Sequence, residues 1–123
     1  GIWDHVKQAD ETVTVIAMIE DPEALDDIDA IVAVEGLDGF FIGRGDLTVA
    51  LGAANPAAPE IRSACERITS AAGKIGKPVC VMVGNAAEAA GFREMGASAF
   101  IVATDQAFMR QAAQKALSEF TAQ

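Results

Sequence analysis

The chain has 123 residues, which is enough for one domain and too few for two ordinary ones. Hydrophobic residues make up 51% of the chain and charged residues 22%, a balance that excludes a disordered protein. The formal net charge is -9, which argues against nucleic acids and anionic membrane surfaces as partners. No apolar run approaches the length of a bilayer span and no signal-like core is present, so we expect a cytoplasmic protein.

Along the chain, short runs rich in β-forming residues alternate with segments of helical periodicity. Residues 1–10 come first and predict an amphipathic helix whose apolar side chains are Ile2, Trp3 and Val6. A helix is also predicted after each strand, so the chain consists of four β-then-α units. The predicted strands are Thr12 to Ile19, Asp38 to Ile42, Pro78 to Val83 and Ser98 to Ala103.

The predicted helices carry signals at their ends. The expected N-caps are Asp21 for the helix after the first strand and Asp105 for the last helix. Glycine stands where three of the helices should stop, at Gly36, Gly76 and Gly96. The last helix carries one apolar stripe, which is made of Phe108, Met109, Ala112, Ala113, Ala116, Leu117 and Phe120.

Strict β-then-α alternation with apolar strands predicts an α/β fold with a parallel sheet covered by helices. Two architectures satisfy this pattern: a doubly wound sheet of the flavodoxin type, and four of the eight units of a TIM (β/α)8 barrel. The helix predicted for residues 1–10 favours the half-barrel, because it should follow an earlier strand that the chain does not contain. The sequence therefore predicts residues 1–123 to be a single partial domain.

Two acidic residues follow two of the predicted strands, where parallel α/β proteins carry out chemistry. Glu20 ends the run Met18-Ile19-Glu20, and strand alternation would point it into the barrel mouth. A carboxylate at such a place usually needs a partner, and a shared divalent cation would supply one. The alternative is that Glu20 only begins the acidic first turn of the next helix.

Asp46 follows the second strand in the glycine-rich stretch Gly43-Arg44-Gly45-Asp46. The glycines free the backbone to turn sharply and allow a ligand to approach main-chain N–H groups. Asp46 could equally be the N-cap of a short turn over residues 47–51. Neither Cys65 nor Cys80 has a C-x-x-C partner, so both are expected to be reduced rather than bound to zinc or to each other.

Several stretches of the chain resemble one known family, the HpcH/HpaI aldolase and citrate lyase β family. They are Val15 to Glu20, Ala24 to Ile28, Val34 to Gly43 and Gly45 to Gly52. The likeness runs over nearly the whole chain, and the final strand after Gly96 is similar to the second half of that family. The resemblance implies that this chain is the C-terminal half of a TIM barrel.

The resemblance further implies a class II pyruvate aldolase, a divalent-metal-dependent carbon-carbon lyase that cleaves 4-hydroxy-2-oxo acids to pyruvate and an aldehyde. Glu20 and Asp46 match the two carboxylates that hold Mg²⁺ or Mn²⁺, ions that prefer oxygen ligands. Main-chain N–H groups of Gly45 and Asp46 match those that bind the pyruvate carboxylate. The ion would stabilise the negative charge of the pyruvate enolate.

The chain departs from the family pattern in two respects. Arg44 stands where members commonly carry proline, and Gly45 stands where they often carry alanine. Because Arg44 adds a positive charge near an anionic substrate, we predict that it binds substrate together with Gly45 and Asp46. The family's catalytic histidine belongs to the first half of the barrel, so no catalytic residue is identified in this chain. His5, the only histidine, does not match that base and is expected to be a helix-surface or packing residue.

A half-barrel would leave unpaired strand edges and an uncovered inner face. We expect the cover to be a missing N-terminal half-barrel or another copy of the chain, and we expect a homo-oligomer. Two further functions stay open: a noncatalytic α/β binding or interaction module, and a citramalyl or malyl thioester lyase-like member. The triplet Arg44-Gly45-Asp46 matches a short adhesion motif, although three residues recur by chance.

Overall fold

The computed structural model describes residues 1–121, which form four strands and seven helices. The strands are β1 (Ile16–Ile19), β2 (Gly39–Ile42), β3 (Val79–Val83) and β4 (Ala99–Val102). The helices are α1 (Ile2–Thr12), α2 (Pro22–Asp26), α3 (Ile28–Val32), α4 (Arg44–Ala50), α5 (Pro59–Lys74), α6 (Ala86–Met95) and α7 (Asp105–Thr121). The predicted alternation of strands and helices is confirmed.

All four strands are parallel and lie side by side in chain order, β1-β2-β3-β4. A doubly wound sheet reverses its strand order at a switch point, whereas consecutive units of a barrel keep theirs. Ile19 pairs with Ile42 and Val83 pairs with Val102, so the carboxyl ends of neighbouring strands meet at one edge of the sheet. The predicted α/β fold with a parallel sheet is confirmed.

One face of the sheet is buried beneath the helices. Its central side chains are at most 2% exposed: Ile19, Phe40, Ile42, Val79, Val81 and Val83. Helix α5 packs against this face and adds Ile61, Cys65 and Ile68, each at most 1% exposed. The buried Thr69 hydroxyl donates a hydrogen bond to the Cys65 carbonyl at 3.0 Å, so this polar group is satisfied inside the core.

The helix ends largely follow the sequence signals. Asp21 caps α2 by accepting a hydrogen bond from the Ala24 N–H at 3.1 Å, as predicted. The three predicted stop glycines all have positive φ, at +81° for Gly36, +71° for Gly76 and +109° for Gly96. Gly96 is the C-cap of α6 and Gly76 follows the C-cap of α5, so both end a helix without a Cβ clash. Gly36 lies in the loop beyond α3, whose C-cap is Ala33, so the prediction that Gly36 ends this helix is wrong.

Two boundaries differ from the sequence-based expectation. Strand β1 begins at Ile16 rather than Thr12, because pairing with β2 begins at Ile16 and Gly39 while Thr12 still belongs to α1. The single helix expected after β1 is two short helices, separated at Asp27, whose backbone leaves helical geometry at φ -98° and ψ 14°.

The N-cap of α7 is also different from the prediction. The Thr104 hydroxyl accepts the hydrogen bond of the Ala107 N–H at 3.2 Å, and the Thr104 carbonyl accepts that of the Phe108 N–H at 3.0 Å. Asp105 is instead the first helical residue, where its negative charge lies at the positive end of the helix dipole.

The second face of the sheet is open. Ile16, Met18, Met82 and Ile101 lie on it and are between 42% and 54% exposed. Helices α1 and α7 bury none of their described residues, and the apolar side chains predicted for their stripes are solvent-exposed. Among residues 1–121, no helix combines the length and apolar character that crossing a bilayer requires.

Replacing Ile68 with alanine should lower the free energy of unfolding by about 2–5 kcal/mol, because it leaves a cavity where α5 meets the sheet. Urea denaturation followed by circular dichroism measures this change. Ser70→Ala, on the exposed side of the same helix, is the matched control and should change stability by less than about 0.5 kcal/mol. Equal effects of the two substitutions would contradict the packing of α5.

Candidate functional site

Glu20 lies directly after β1, at the carboxyl edge of the sheet, and is partly buried. Its neighbour across the sheet edge is Gly43, directly after β2, whose N–H donates to the Ile19 carbonyl at 2.9 Å. A Cβ added to Gly43 would lie 2.6 Å from the Glu20 Cβ and 2.9 Å from Glu20 Oε2. Glycine is therefore needed at position 43 because there is no room for a side chain, and not because of its backbone conformation. A larger residue would displace the Glu20 side chain.

Asp46 lies in the first turn of α4, three residues beyond Gly43, and is exposed. The N-cap of α4 is Gly43 and its first residue is Arg44, so the alternative that Asp46 is an N-cap is wrong. Glu20 likewise precedes the N-cap Asp21 and lies outside α2. Neither carboxylate serves as the cap of its helix.

An open cavity of about 380 Å³ lies beside these residues. Its walls come from the open sheet face and from the start of α4, and they include Met18, Phe41, Gly43, Arg44, Gly45, Asp46 and Met82. Glu20 does not line this cavity, but it lies against Gly43, which does. The cavity therefore joins the open apolar face of the sheet to the glycine-rich turn.

The Arg44 side chain points away from solvent and is 16% exposed. Its Nη1 lies 2.8 Å from Glu88 Oε1, and its Nη2 donates a hydrogen bond to the Met82 carbonyl at 2.6 Å. The guanidinium carbon also lies 4.7 Å from the centre of the Phe92 ring, which is a cation-π distance. An adhesion loop presents its arginine at an exposed tip, so this environment argues against an adhesion role for Arg44-Gly45-Asp46.

Glu88 is held from both sides. Its Oε2 accepts the Gly84 N–H at 2.7 Å, and its own N–H donates to the Asn85 side chain at 3.0 Å at the start of α6. The hydrogen bond from Gly84, assisted by Arg44, lowers the pKa of the Glu88 carboxyl. Glu88 therefore stays ionised opposite Arg44 at neutral pH.

Sequence reasoning placed Gly43 in the glycine-rich turn but did not identify its contact with Glu20, and it did not identify Glu88 or Phe92 as parts of this region. The spacing Asn85-x-x-Glu88 is a capping pattern and could have indicated the position of Glu88. No local signal connects Arg44 with Glu88, because the two residues are 44 positions apart and meet only when β2 and β3 pair.

Glu20 and Asp46 are the candidate ligands for a cation. Within residues 1–121, no three or more carboxylate, imidazole or thiol side chains cluster closely enough to bind a metal ion. Mg²⁺ often uses only one or two protein carboxylates and takes its other ligands from water and substrate. Glu20 and Asp46 have no hydrogen bond or ion pair with another side chain among those that the structure describes. Two such carboxylates fit the chemistry of a hard divalent ion.

The remaining candidate groups, His5, Cys65 and Cys80, do not line the 380 Å³ cavity. His5 is exposed on α1. Cys65 and Cys80 are both free thiols. Burial raises the pKa of the Cys65 thiol to about 11, and burial also raises that of Cys80 to a smaller extent. Both are consequently protonated at neutral pH and weakly nucleophilic.

Replacing Gly43 with alanine should lower the free energy of unfolding by about 1–3 kcal/mol, because the new Cβ would overlap Glu20. The matched control is Gly45→Ala, since a Cβ at Gly45 meets nothing within 4 Å. We expect Gly45→Ala to change stability by no more than about 1 kcal/mol. Urea denaturation measures both, and a Gly43→Ala protein as stable as the control would contradict the contact with Glu20.

Residues 2–112 match the model of the HpcH/HpaI aldolase/citrate lyase family. The chain is 35% identical over 120 residues to the 5-keto-4-deoxy-D-glucarate aldolase of Escherichia coli O6:H1, a match that covers 97% of this chain and 47% of that protein. It therefore spans about half the length of the curated relatives it matches.

Solved structures of similar fold come from the same family. An HpcH/HpaI aldolase/citrate lyase family protein from Burkholderia cenocepacia J2315 superposes with a TM-score of 0.87 at 29% identity, covering 96% of this chain and 46% of that one. An HpcH/HpaI aldolase from Desulfitobacterium hafniense DCB-2 superposes with a TM-score of 0.80 at 25% identity, covering 98% and 47%. The family model, the sequence relatives and the fold agree, and the chain belongs to the HpcH/HpaI aldolase/citrate lyase family.

Proposed function

We propose that this chain is the metal-binding and pyruvate-binding part of a divalent-metal-dependent aldolase that cleaves 4-hydroxy-2-oxo acids to pyruvate and an aldehyde. The observation that carries the proposal is the placement of Glu20 against Gly43, at the sheet edge where the Arg44-Gly45-Asp46 turn begins. Membership of an aldolase and lyase family supports the reaction class. The first substrate to test is 5-keto-4-deoxy-D-glucarate, because a relative at 35% identity is named for it.

In this proposal Glu20 and Asp46 hold Mg²⁺ or Mn²⁺ through their carboxylate oxygens. A bound ion would supply positive charge against the negative charge that develops on the oxygen of the 2-oxo acid. Asp46 is exposed beside the 380 Å³ cavity, so water and substrate can reach it. Glu20 fits at this edge because Gly43 has no side chain there.

The substrate carboxylate would be bound by the turn that opens α4. The first intrahelical hydrogen bond of α4 is donated by the Leu47 N–H to the Gly43 carbonyl, so the N–H groups of Gly45 and Asp46 precede the helical ladder. These two main-chain groups are free to donate to an anion. Arg44 belongs to the same turn, and its contribution to substrate binding stays a prediction.

The catalytic base would come from the complementary half, because the resemblance places the family's catalytic histidine there and the exposed His5 on α1 does not match it. We propose that residues 1–123 are a partial domain completed by a second set of βα units. The chain spans about half the length of its relatives, and the open sheet face is apolar. A complementary half-barrel would pair the free edges of β1 and β4 and cover this face.

A second candidate is a citramalyl or malyl thioester lyase-like enzyme, which the citrate lyase part of the family description favours. Both candidates would use the proposed ion and the Arg44-Gly45-Asp46 turn. They differ in the substrate group on the far side of the carbon-carbon bond that is cleaved. Assays of the chain together with a complementary half, with a 4-hydroxy-2-oxo acid and with a malyl thioester, separate them, because only the matching substrate should be cleaved.

Replacing Glu20 with glutamine should weaken Mn²⁺ binding by at least about tenfold, since even residues that only orient a metal ligand contribute that much. Isothermal titration with Mn²⁺ measures the affinity, and circular dichroism confirms the fold. Asp46→Asn should have the same effect. The matched control is Glu23→Gln, in the first turn of α2, which should bind Mn²⁺ as the unchanged protein does. Unchanged binding by Glu20→Gln would contradict the proposed site.

Cys80 provides a probe of the complementary half. It lies on the same face as Met82, two residues away on β3, and is partly exposed, whereas Cys65 is 1% exposed. Iodoacetamide at pH 8 should therefore modify Cys80 and spare Cys65, which has about one thiolate in a thousand molecules at that pH. Adding the part of the Escherichia coli relative that this chain does not match should slow the modification of Cys80 several-fold.

The same mixture should release pyruvate from 5-keto-4-deoxy-D-glucarate in the presence of Mn²⁺, measured with lactate dehydrogenase. The chain alone, without the added half, should release none. Unchanged Cys80 reactivity in the mixture would contradict the proposed covering of the open face. Protection of Cys80 without pyruvate release would instead contradict the proposed reaction.

A further inference from the structure

Arg44 connects two turns that are far apart in the sequence. It is the first residue of α4, and its side chain crosses to the carboxyl end of β3 and to α6. There it meets the Met82 carbonyl, the Glu88 carboxylate and the Phe92 ring, at 2.6 Å, 2.8 Å and 4.7 Å. We call this set of contacts the Arg44 tie.

The partners of the tie are themselves immobilised. Glu88 is bound by the Gly84 N–H through its second carboxylate oxygen, and Phe92 is 8% exposed. Met82 belongs to β3, which is paired on both sides by β2 and β4. The guanidinium is therefore attached to rigid elements, and its planar fork can satisfy the carbonyl and the carboxylate together.

The Arg44 backbone, at the α4 end of the tie, is also held in place. The Arg44 carbonyl accepts the Thr48 hydroxyl at 2.6 Å, and Leu47 is fully buried beneath α4. Arg44 holds the first residue of α4 while Leu47 holds its middle. The residues between these two anchors are Gly45 and Asp46, which the proposed function uses for the substrate carboxylate and the ion.

We infer that Arg44 is a positioning residue, which fixes the Gly45-Asp46 segment through Glu88 and does not itself contact the substrate. The inference rests on the proposed function for the role of that segment. Its physical basis is that the guanidinium is already bound on three sides and its charge is neutralised by Glu88. A side chain released to meet an anionic substrate would leave the Glu88 carboxylate without its cation.

The first test needs neither metal nor substrate. Amide hydrogen exchange followed by NMR reports local opening of α4 through Leu47 and Leu51, whose N–H groups are hydrogen-bonded. Arg44→Ala and Glu88→Ala should each speed exchange of these amides about tenfold or more, because each removes a charge-assisted hydrogen bond. The double variant should exchange no faster than the faster single variant, since both changes break the same tie.

Two variants control this experiment. Arg62→Ala removes the arginine of the exposed Arg62-Glu66 pair on α5 and should not change exchange in α4. Arg44→Lys keeps the charge and loses the fork, and it should behave like Arg44→Ala. The Ile68 amide, in the middle of α5, serves as the internal reference for global unfolding.

The second test separates positioning from substrate contact. Pyruvate binding in saturating Mn²⁺ should weaken by a similar factor in Arg44→Ala and Glu88→Ala if Arg44 acts by position. Direct contact predicts the opposite pattern: Glu88→Ala would free the guanidinium and leave pyruvate binding equal or tighter, while Arg44→Ala alone would weaken it. That pattern, or α4 exchange that is unchanged in both variants, would overturn the inference. Failure of the unchanged protein to bind Mn²⁺ or pyruvate would refute the proposed function, and the exchange result would still decide on the tie.

Discussion

The candidate site depends on the pairing of β1 with β2 through to their last residue pair. Ile19 pairs with Ile42, and the next hydrogen bond, from the Gly43 N–H to the Ile19 carbonyl, holds Glu20 beside Gly43. A shift of register by one residue would turn Glu20 toward the helices and bring Ile19 to the open face. Glu20 and the turn that carries Asp46 therefore directly follow the last paired residues of β1 and β2, and the absence of a side chain at Gly43 leaves space for Glu20.

Only one face of the sheet is buried, and the open face adjoins the candidate site. Helices α2 to α6 cover one face of the sheet, while the other face and the helices α1 and α7 expose apolar side chains. Contiguous exposed apolar surface marks an interaction site in most proteins. Met18 and Met82 belong to this face and also line the cavity next to Asp46. A partner that covers the face consequently forms the second wall of the cavity.

Periodicity and turn residues predicted most of the fold. The four strands, the alternating helices and the stops at Gly76 and Gly96 follow from local alternation and local φ preferences, which a sequence displays directly. The start of β1 was predicted too early because strand length depends on where the partner strand begins, and β2 begins only at Gly39. Glu20 and Asp46 could be recognised as acidic residues after strands. The steric role of Gly43 could not, because it requires the distance between two neighbouring strands.

The ion pair of Arg44 changes how an anionic substrate would be attracted to this edge of the sheet. Arg44 gives the turn a positive charge in the sequence, but Glu88 neutralises it at 2.8 Å, and Glu20 and Asp46 bring two further carboxylates to the same edge. Without a cation, a 2-oxo acid would meet two negative charges and only the partial positive charge of main-chain N–H groups. A divalent ion held by those two carboxylates reverses the sign of the local field. In the proposed function, binding of the ion therefore has to precede binding of the substrate, and the acidic pair is the reason for that order.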